Sequence, residues 1–286
     1  MQGHPKFLLT RGLWLVVLEF TLVNFGIFFD VHFKLFIFEV IAAIGVGFII
    51  LSLLIRSSAR TIVVIGLAIL FLHNVAPLVP GGESSLFKRM LMPLFAPATF
   101  PLGERLFIMG YPPMPWLGIM LVGFGTGQLF GHEPAVQKSL FLKIGLASIG
   151  LFFLLRLINV YGDSLPWSQQ KTGLLTFLSF INLTKYPPSL DYCLVFLGAM
   201  FLILSALQGA QNKWTDKVSV YGKTPLFYFL LHLYLIHLLA LAMPFLFPLW
   251  GIYLVWVGVV AIMYPLCKWY GRYKQSHKEK TWLRYL

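Results

Sequence analysis

Charge is scarce in this chain, yet five charged residues share one polar stretch, residues 156–192, RLINVYGDSLPWSQQKTGLLTFLSFINLTKYPPSLDY. They are Arg156, Asp163, Lys171, Lys185 and Asp191. Two long apolar runs flank them, so water, charge and hydrocarbon meet here if those runs cross a membrane. Such a stretch is either a connector or one wall of a site. Three other groups can carry proton chemistry. Glu19 sits near the middle of an apolar run, where an ionised carboxylate costs roughly 2.5–3.5 kcal/mol and is expected to face a helix bundle or a wet cavity. There it either lines a substrate path or pairs with a polar group on a neighbouring helix. Glu39 lies near the end of the next run and reads as interfacial.

His232 and His237 share a further apolar run, TPLFYFLLHLYLIHLLALAM. Five residues of helix turn them about 140° apart, so they do not share a face. A two-histidine metal site wants a spacing of three or four, and no metal is expected. Tyr228 and His232 are four apart and do share a face, which makes a phenol–imidazole pair. The histidine is read either as a structural group in the bundle or as a catalytic one. Cys193 and Cys267 lie in apolar runs without metal-like or disulfide-like spacing and read as buried, inert thiols. No Ser-His-Asp spacing, P-loop or zinc-protease motif is present.

These residues need elements to hold them, and composition says which. Only 11% of the chain is charged, 58% is apolar and the mean hydropathy is +0.81, against about 25% charged residues in soluble domains. Apolar runs of about 20 residues suit helices crossing a hydrocarbon core of ~30 Å. They are continuous rather than alternating, which favours helices over a closed barrel. The expected fold is all-α, a polytopic transmembrane helical bundle of about eight spans: 12–29, 35–55, 61–76, 115–131, 140–158, 190–207, 224–243 and 249–267. No soluble domain or repeat interrupts them, so residues 1–286 read as one domain. The first run carries Glu19 and lacks a small-residue exit, so no cleavable signal peptide is expected. In the fourth run Gly123, Gly127 and Gly131 recur every four residues, a stripe that predicts close helix packing.

The chain carries a formal net charge of +12. Basic loops that fix topology explain this excess, and nucleic acid is not expected as a partner. With the N-terminus in the cytoplasm and alternating spans, inner segments hold fifteen Lys and Arg and outer segments seven, so both termini are expected inside. The basic tail, GRYKQSHKEKTWLRY, then lies near anionic lipid. Two long outer connections result, 77–114 and 159–189. Their aromatics, from Phe87 and Phe107 to Trp167 and Tyr186, argue for ordered interfacial segments, with a short helix expected over 90–100.

Five stretches together resemble a known family: FLLTRGLWLVVLEFTLVNFG (7–26), YPPMPWLGIMLVGFGTG (111–127), LRLINVYGDSLPW (155–167), NLTKYPPSLDY (182–192) and YGKTPLFYFLLHLYLIHLLA (221–240). In this order they are similar to bacterial membrane proteins of a domain-of-unknown-function group related to heparan-α-glucosaminide N-acetyltransferase, in the transmembrane acyltransferase class. The resemblance implies a multi-pass protein of the bacterial plasma (inner) membrane. It implies transfer of an acetyl or similar group from acetyl-CoA to an extracytoplasmic sugar or related small polar acceptor. By that resemblance Asn182, Lys185 and Tyr192 position the acceptor or line the passage, together with Tyr228, Glu19 and Arg156. His232 and Asp163 stand as the catalytic candidates. The family's members carry about two further upstream spans with the histidine thought to act in transfer, so this chain is expected to be truncated relative to them. A permease or flippase-like module, or an inactive remnant, is the competing reading. The lipid bilayer is the expected partner, and a homo-oligomer stays open.

Overall fold

The computed structural model describes residues 5–78, 90–243 and 248–285. It is 73% helical, so the all-α expectation holds at the level of class. Among the described residues five helices are long and apolar enough to cross a membrane. They are α1 (Pro5–Phe28), α3 (Ala59–Leu72, prolonged by a 3₁₀ segment), α5 (Pro134–Ile158), α9 (Pro225–Ala242) and α10 (Leu249–Ser276). The shorter helices α2 (Val40–Leu54) and α7 (Leu190–Ala206) are apolar too, and α4 (Pro113–Thr126) packs beside α2 and α3. The protein is thereby built as a multi-pass membrane protein.

The non-helical parts differ from expectation in two places. The second apolar run starts as a strand, β1 (Leu35–Phe38), and turns helical only at Val40, leaving Glu39 ahead of the helix. Residues 90–100 do not make one interfacial helix. A 3₁₀ turn at Met92–Leu94, with Pro93 in its first positions, leads into β2 (Ala98–Leu102), which pairs antiparallel with β3 (Arg105–Met109). Gly103, at φ +62° in the tight turn between them, takes a backbone conformation that favours glycine. The strand order is β1–β3–β2. Phe87, Lys88 and Arg89 lie outside the described residues. Two polar-flanked helices also go unpredicted: α6 (Gly173–Ile181), capped by Thr172, and α8 (Lys213–Gly222), opened by an Asn212–Thr215 capping box.

The chain divides into two compact units, residues 1–16 with 37–209 and residues 17–36 with 210–286. In the first unit, glycines set the helix spacing. A Cβ on Gly12 would lie 2.6 Å from the Gly45 carbonyl oxygen, and one on Gly66 would lie 2.9 Å from that of Gly118. Gly145 and Gly198 do the same for α5 and α7. Small residues let backbones approach where hydrophobic burial gives no drive between helices in lipid. The expected stripe is a different set. Gly123, Gly127 and Gly131 have open space around them, while Gly118 and Gly125 face α3. A spacing of seven keeps residues on one face across two turns, whereas repeated steps of four drift around the helix.

At one end of this unit Ser205 Oγ donates to the Lys138 carbonyl (2.8 Å), and Gln208 bonds Gln137 (3.0 Å). Gly125 there packs against Val63 and the Ala59 carbonyl. The segments around 59, 125–138 and 205–208 therefore share an end. The second unit packs α9 on α10 around Val259, Met263 and Cys267, with Phe227 stacked on Tyr270 at 4.2 Å. The second half of α1 belongs here, and Gly26 faces the Tyr234 ring. Cys193 and Cys267 are buried free thiols.

Candidate functional site

The polar stretch folds around Arg156. This guanidinium, on the last turn of α5, is 2% exposed and bonds only main-chain oxygens. Nε donates to Phe180 (2.9 Å), one terminal nitrogen to Leu165 (3.2 Å), and the other to Ser179 (3.2 Å) and Asn182 (2.9 Å). Asp163 and Asp191 lie 4.0 and 3.8 Å away and balance the buried charge. Five N–H donors in a planar fork suit such a role, and nearly all are committed. Asp163 is equally committed: its carboxylate accepts from the amides of Leu165 and Thr184 and from the hydroxyls of Thr184 and Ser189. Ser189 in turn caps α7. Arg156, Asp163 and the Asn182 backbone thus form the frame of the connection.

The same frame reaches α3. His73, at its end, is buried with Nε2 2.8 Å from the Pro188 carbonyl, Asn74 donates to Gly162 (3.0 Å), and the Tyr161 hydroxyl donates to Phe71. Gly162 has φ +115°, and a Cβ there would lie 2.4 Å from Asp191 Oδ1. Only glycine fits that position.

On this frame sits a cluster of titratable and aromatic groups from three separate connections. Lys185 is exposed, with Nζ 5.0 Å from the Tyr186 ring centroid. The Tyr186 hydroxyl bonds that of Tyr111 (3.1 Å), and the Tyr111 ring stacks on Trp116 (5.1 Å). Glu39 and Tyr192 lie close enough to act electrostatically on Lys185 and Tyr111. Hydrogen bonding with the Tyr186 side chain holds the Lys185 ammonium above the ordinary lysine range. Burial pushes the Glu39 carboxyl up, opposed by the Lys185 charge. Burial, then the bond with Tyr186, raises the Tyr111 phenol. Trp116 Nε1 is buried and has no hydrogen-bond partner among the described residues, and such a group normally finds one.

Of the residues picked out in the sequence, Lys185 and Tyr192 come together in this cluster, while Arg156, Asp163 and Asn182 form the frame beneath it. Glu19, Tyr228 and His232 belong to the second unit. There Tyr228 stacks on His232 at 5.2 Å, as their spacing of four predicts, and His232 Nδ1 lies 3.1 Å from the Tyr228 carbonyl of its own helix. His237 instead stacks on Phe29 at 3.9 Å. Glu19, 0% exposed, opens a π-helical turn, Glu19–Val23, and the Tyr234 hydroxyl donates to the Leu22 carbonyl in that turn (2.7 Å). Tyr111, Tyr186, Trp116 and the central place of Glu39 were missed as site residues. The signal was available, because strict alternation puts residues 39, 111 and 185–192 on one side. Among the described residues no three His, Cys, Asp or Glu side chains gather as a metal site would require. Known proteins add no guide here: no family model, curated protein or solved structure matches the chain.

Proposed function

We propose that the protein is a multi-pass membrane acyltransferase of the bacterial inner membrane, with both termini cytoplasmic and about eight spans. Its acceptor site is the Glu39–Tyr111–Lys185–Tyr186–Tyr192 cluster. The observation that carries this reading is the meeting of a carboxyl of raised proton affinity, a lysine held protonated and several phenols at one end of the apolar helices. Acyl transfer from a thioester needs a base for the acceptor and donors for the developing oxyanion. Acetyl-CoA would supply the activated acyl group. Glu39, made more basic by burial, takes the proton of the attacking hydroxyl or amine. As the new acyl bond forms the thioester C–S bond breaks, and that proton goes to the departing CoA thiolate. Lys185 and the Tyr111–Tyr186 phenol pair donate to the carbonyl oxygen as negative charge grows there. The acceptor is a sugar or similar polar molecule on the outer side. His232 and Asp163 lose their leading place to Glu39, since the Asp163 carboxylate is occupied by four hydrogen bonds.

Free thiol release from acetyl-CoA by purified protein in proteoliposomes, with and without candidate sugar acceptors, tests this. Glu39→Gln and Lys185→Ala are each expected to slow acceptor-dependent release by about 10²–10⁴-fold. Release that is independent of acceptor and unchanged by both substitutions rejects the proposal. The buried Glu19 in its π turn favours a second reading, transport of a polar molecule, because π turns recur at functional sites in helices. Flux of a sugar into the same vesicles without loss of thioester, abolished by Glu19→Gln, would establish transport instead.

A further inference from the structure

A groove of about 330 Å³ runs between α2 and α4 in the first unit, lined by Val40, Ala43, Ile44, Phe48, Trp116, Ile119 and Met120. Every lining side chain is apolar or aromatic. From Val40 to Phe48 the helix rises about 12 Å, the reach of a medium-length alkyl chain. One end of the groove begins at Val40, the residue after Glu39, and at Trp116, on which Tyr111 stacks. The polar cluster therefore stands at the mouth of the groove. Trp116 belongs to both, and its buried indole N–H has no partner among the described residues. Beside it stand the Tyr111–Tyr186 hydroxyl pair and the exposed, protonated Lys185.

We propose that this groove and cluster form one site for an amphiphile: a membrane-resident molecule whose alkyl chain lies between α2 and α4 and whose phosphate head meets Lys185 and the phenols. Charge complementarity fixes the head. The exposed cation and the donor hydroxyls at the mouth suit an anion. The apolar length fixes the tail. A soluble sugar would leave the groove without use, and a lipid with an uncharged head would leave the charged mouth without use. The proposal deepens the acyltransferase reading by making the acceptor lipid-borne, presented from the plane of the bilayer.

Binding measured without any acyl donor separates this site from the chemistry. The probe is dodecyl phosphate, titrated into the purified full chain in maltoside detergent and followed by Trp fluorescence and by native mass spectrometry. Dodecyl phosphate is expected to bind at least tenfold more tightly than dodecyl maltoside or inorganic phosphate. Lys185→Gln should abolish the preference for the phosphate head. Ile44→Trp, at a lining position that is 37% exposed, should weaken the probe about tenfold while leaving the thermal midpoint unchanged. Trp116→Phe, which keeps the ring and removes the N–H, should weaken it less. Equal binding of dodecyl maltoside would show lipid-annulus occupancy only and overturn the proposal. Equal binding of inorganic phosphate, or an Ile44→Trp protein with full affinity, would overturn it as well. Absence of transferase activity alongside intact, substitution-sensitive binding would reject the acyltransferase reading and leave the site standing.

Discussion

Burial holds the Glu39 carboxyl above the ordinary glutamate range, and the Lys185 ammonium pulls it the other way. Because the folded-state value is raised, the folded protein prefers the neutral acid. Its stabilising contribution is full below the unfolded pKa of about 4.3 and is lost as pH rises through the folded value. Glu39→Gln fixes the neutral state. The thermal midpoints of wild type and Glu39→Gln in detergent should therefore coincide at the acid end and separate by a few degrees toward neutrality, the variant being more stable. Coincident curves across the whole range would show that burial does not govern this carboxyl. In the sequence Lys185, Arg156 and Asp163 were visible because charge is rare in an apolar chain. Glu39 reads there only as an interfacial carboxyl and Tyr111 is not singled out, because the partners they meet lie far along the chain. Nor could rarity of charge tell Arg156 and Asp163, whose polar atoms are spent on the loop itself, from Lys185, which faces outward.

Helix spacing obeys the same logic one level up. On α5, a Cβ at Gly145 would lie 2.7 Å from Leu202 Cγ and 3.0 Å from the Gly198 carbonyl, while Gly150 on the same helix has open space. Gly145→Leu should destabilise by about 1–3 kcal/mol or more through overpacking against α7, and Gly150→Leu should be near neutral. Thermal unfolding of the two variants in detergent checks this, and equal shifts would deny that α5 and α7 meet through Gly145. Helix existence was legible because length and apolarity suffice for it. Which glycines face a neighbour was not, since that depends on where each helix's contact face points. The strands at 35–38, 98–102 and 105–109 escaped for another reason: short strands in a connection carry no span-length signal.

At the scale of the molecule, the contacts of the first unit sort its connections into two ends. Residues 39, 73–74, 111, 161–163 and 182–192 meet at one, and residues around 59, 125–138 and 205–208 meet at the other. Charge counting gives an expected side, and contacts supply the pairing. Gln170→Cys and Ser57→Cys, both at exposed positions, are accordingly expected to react with a membrane-impermeant maleimide from opposite faces of oriented vesicles, over a low background from the buried native thiols. Labelling of both from one face would break the alternation. The buried arginine at the centre of this end has a further consequence. Its hydrogen bonds go to four peptide oxygens, so beyond its two aspartate partners it recognises the path of the connection rather than its spelling. Residues 168–171, exposed along that path, can change identity without loosening the grip. Such a loop is a fixed frame with replaceable contents, and relatives of this protein could differ in what they recognise while keeping the same fold beneath it.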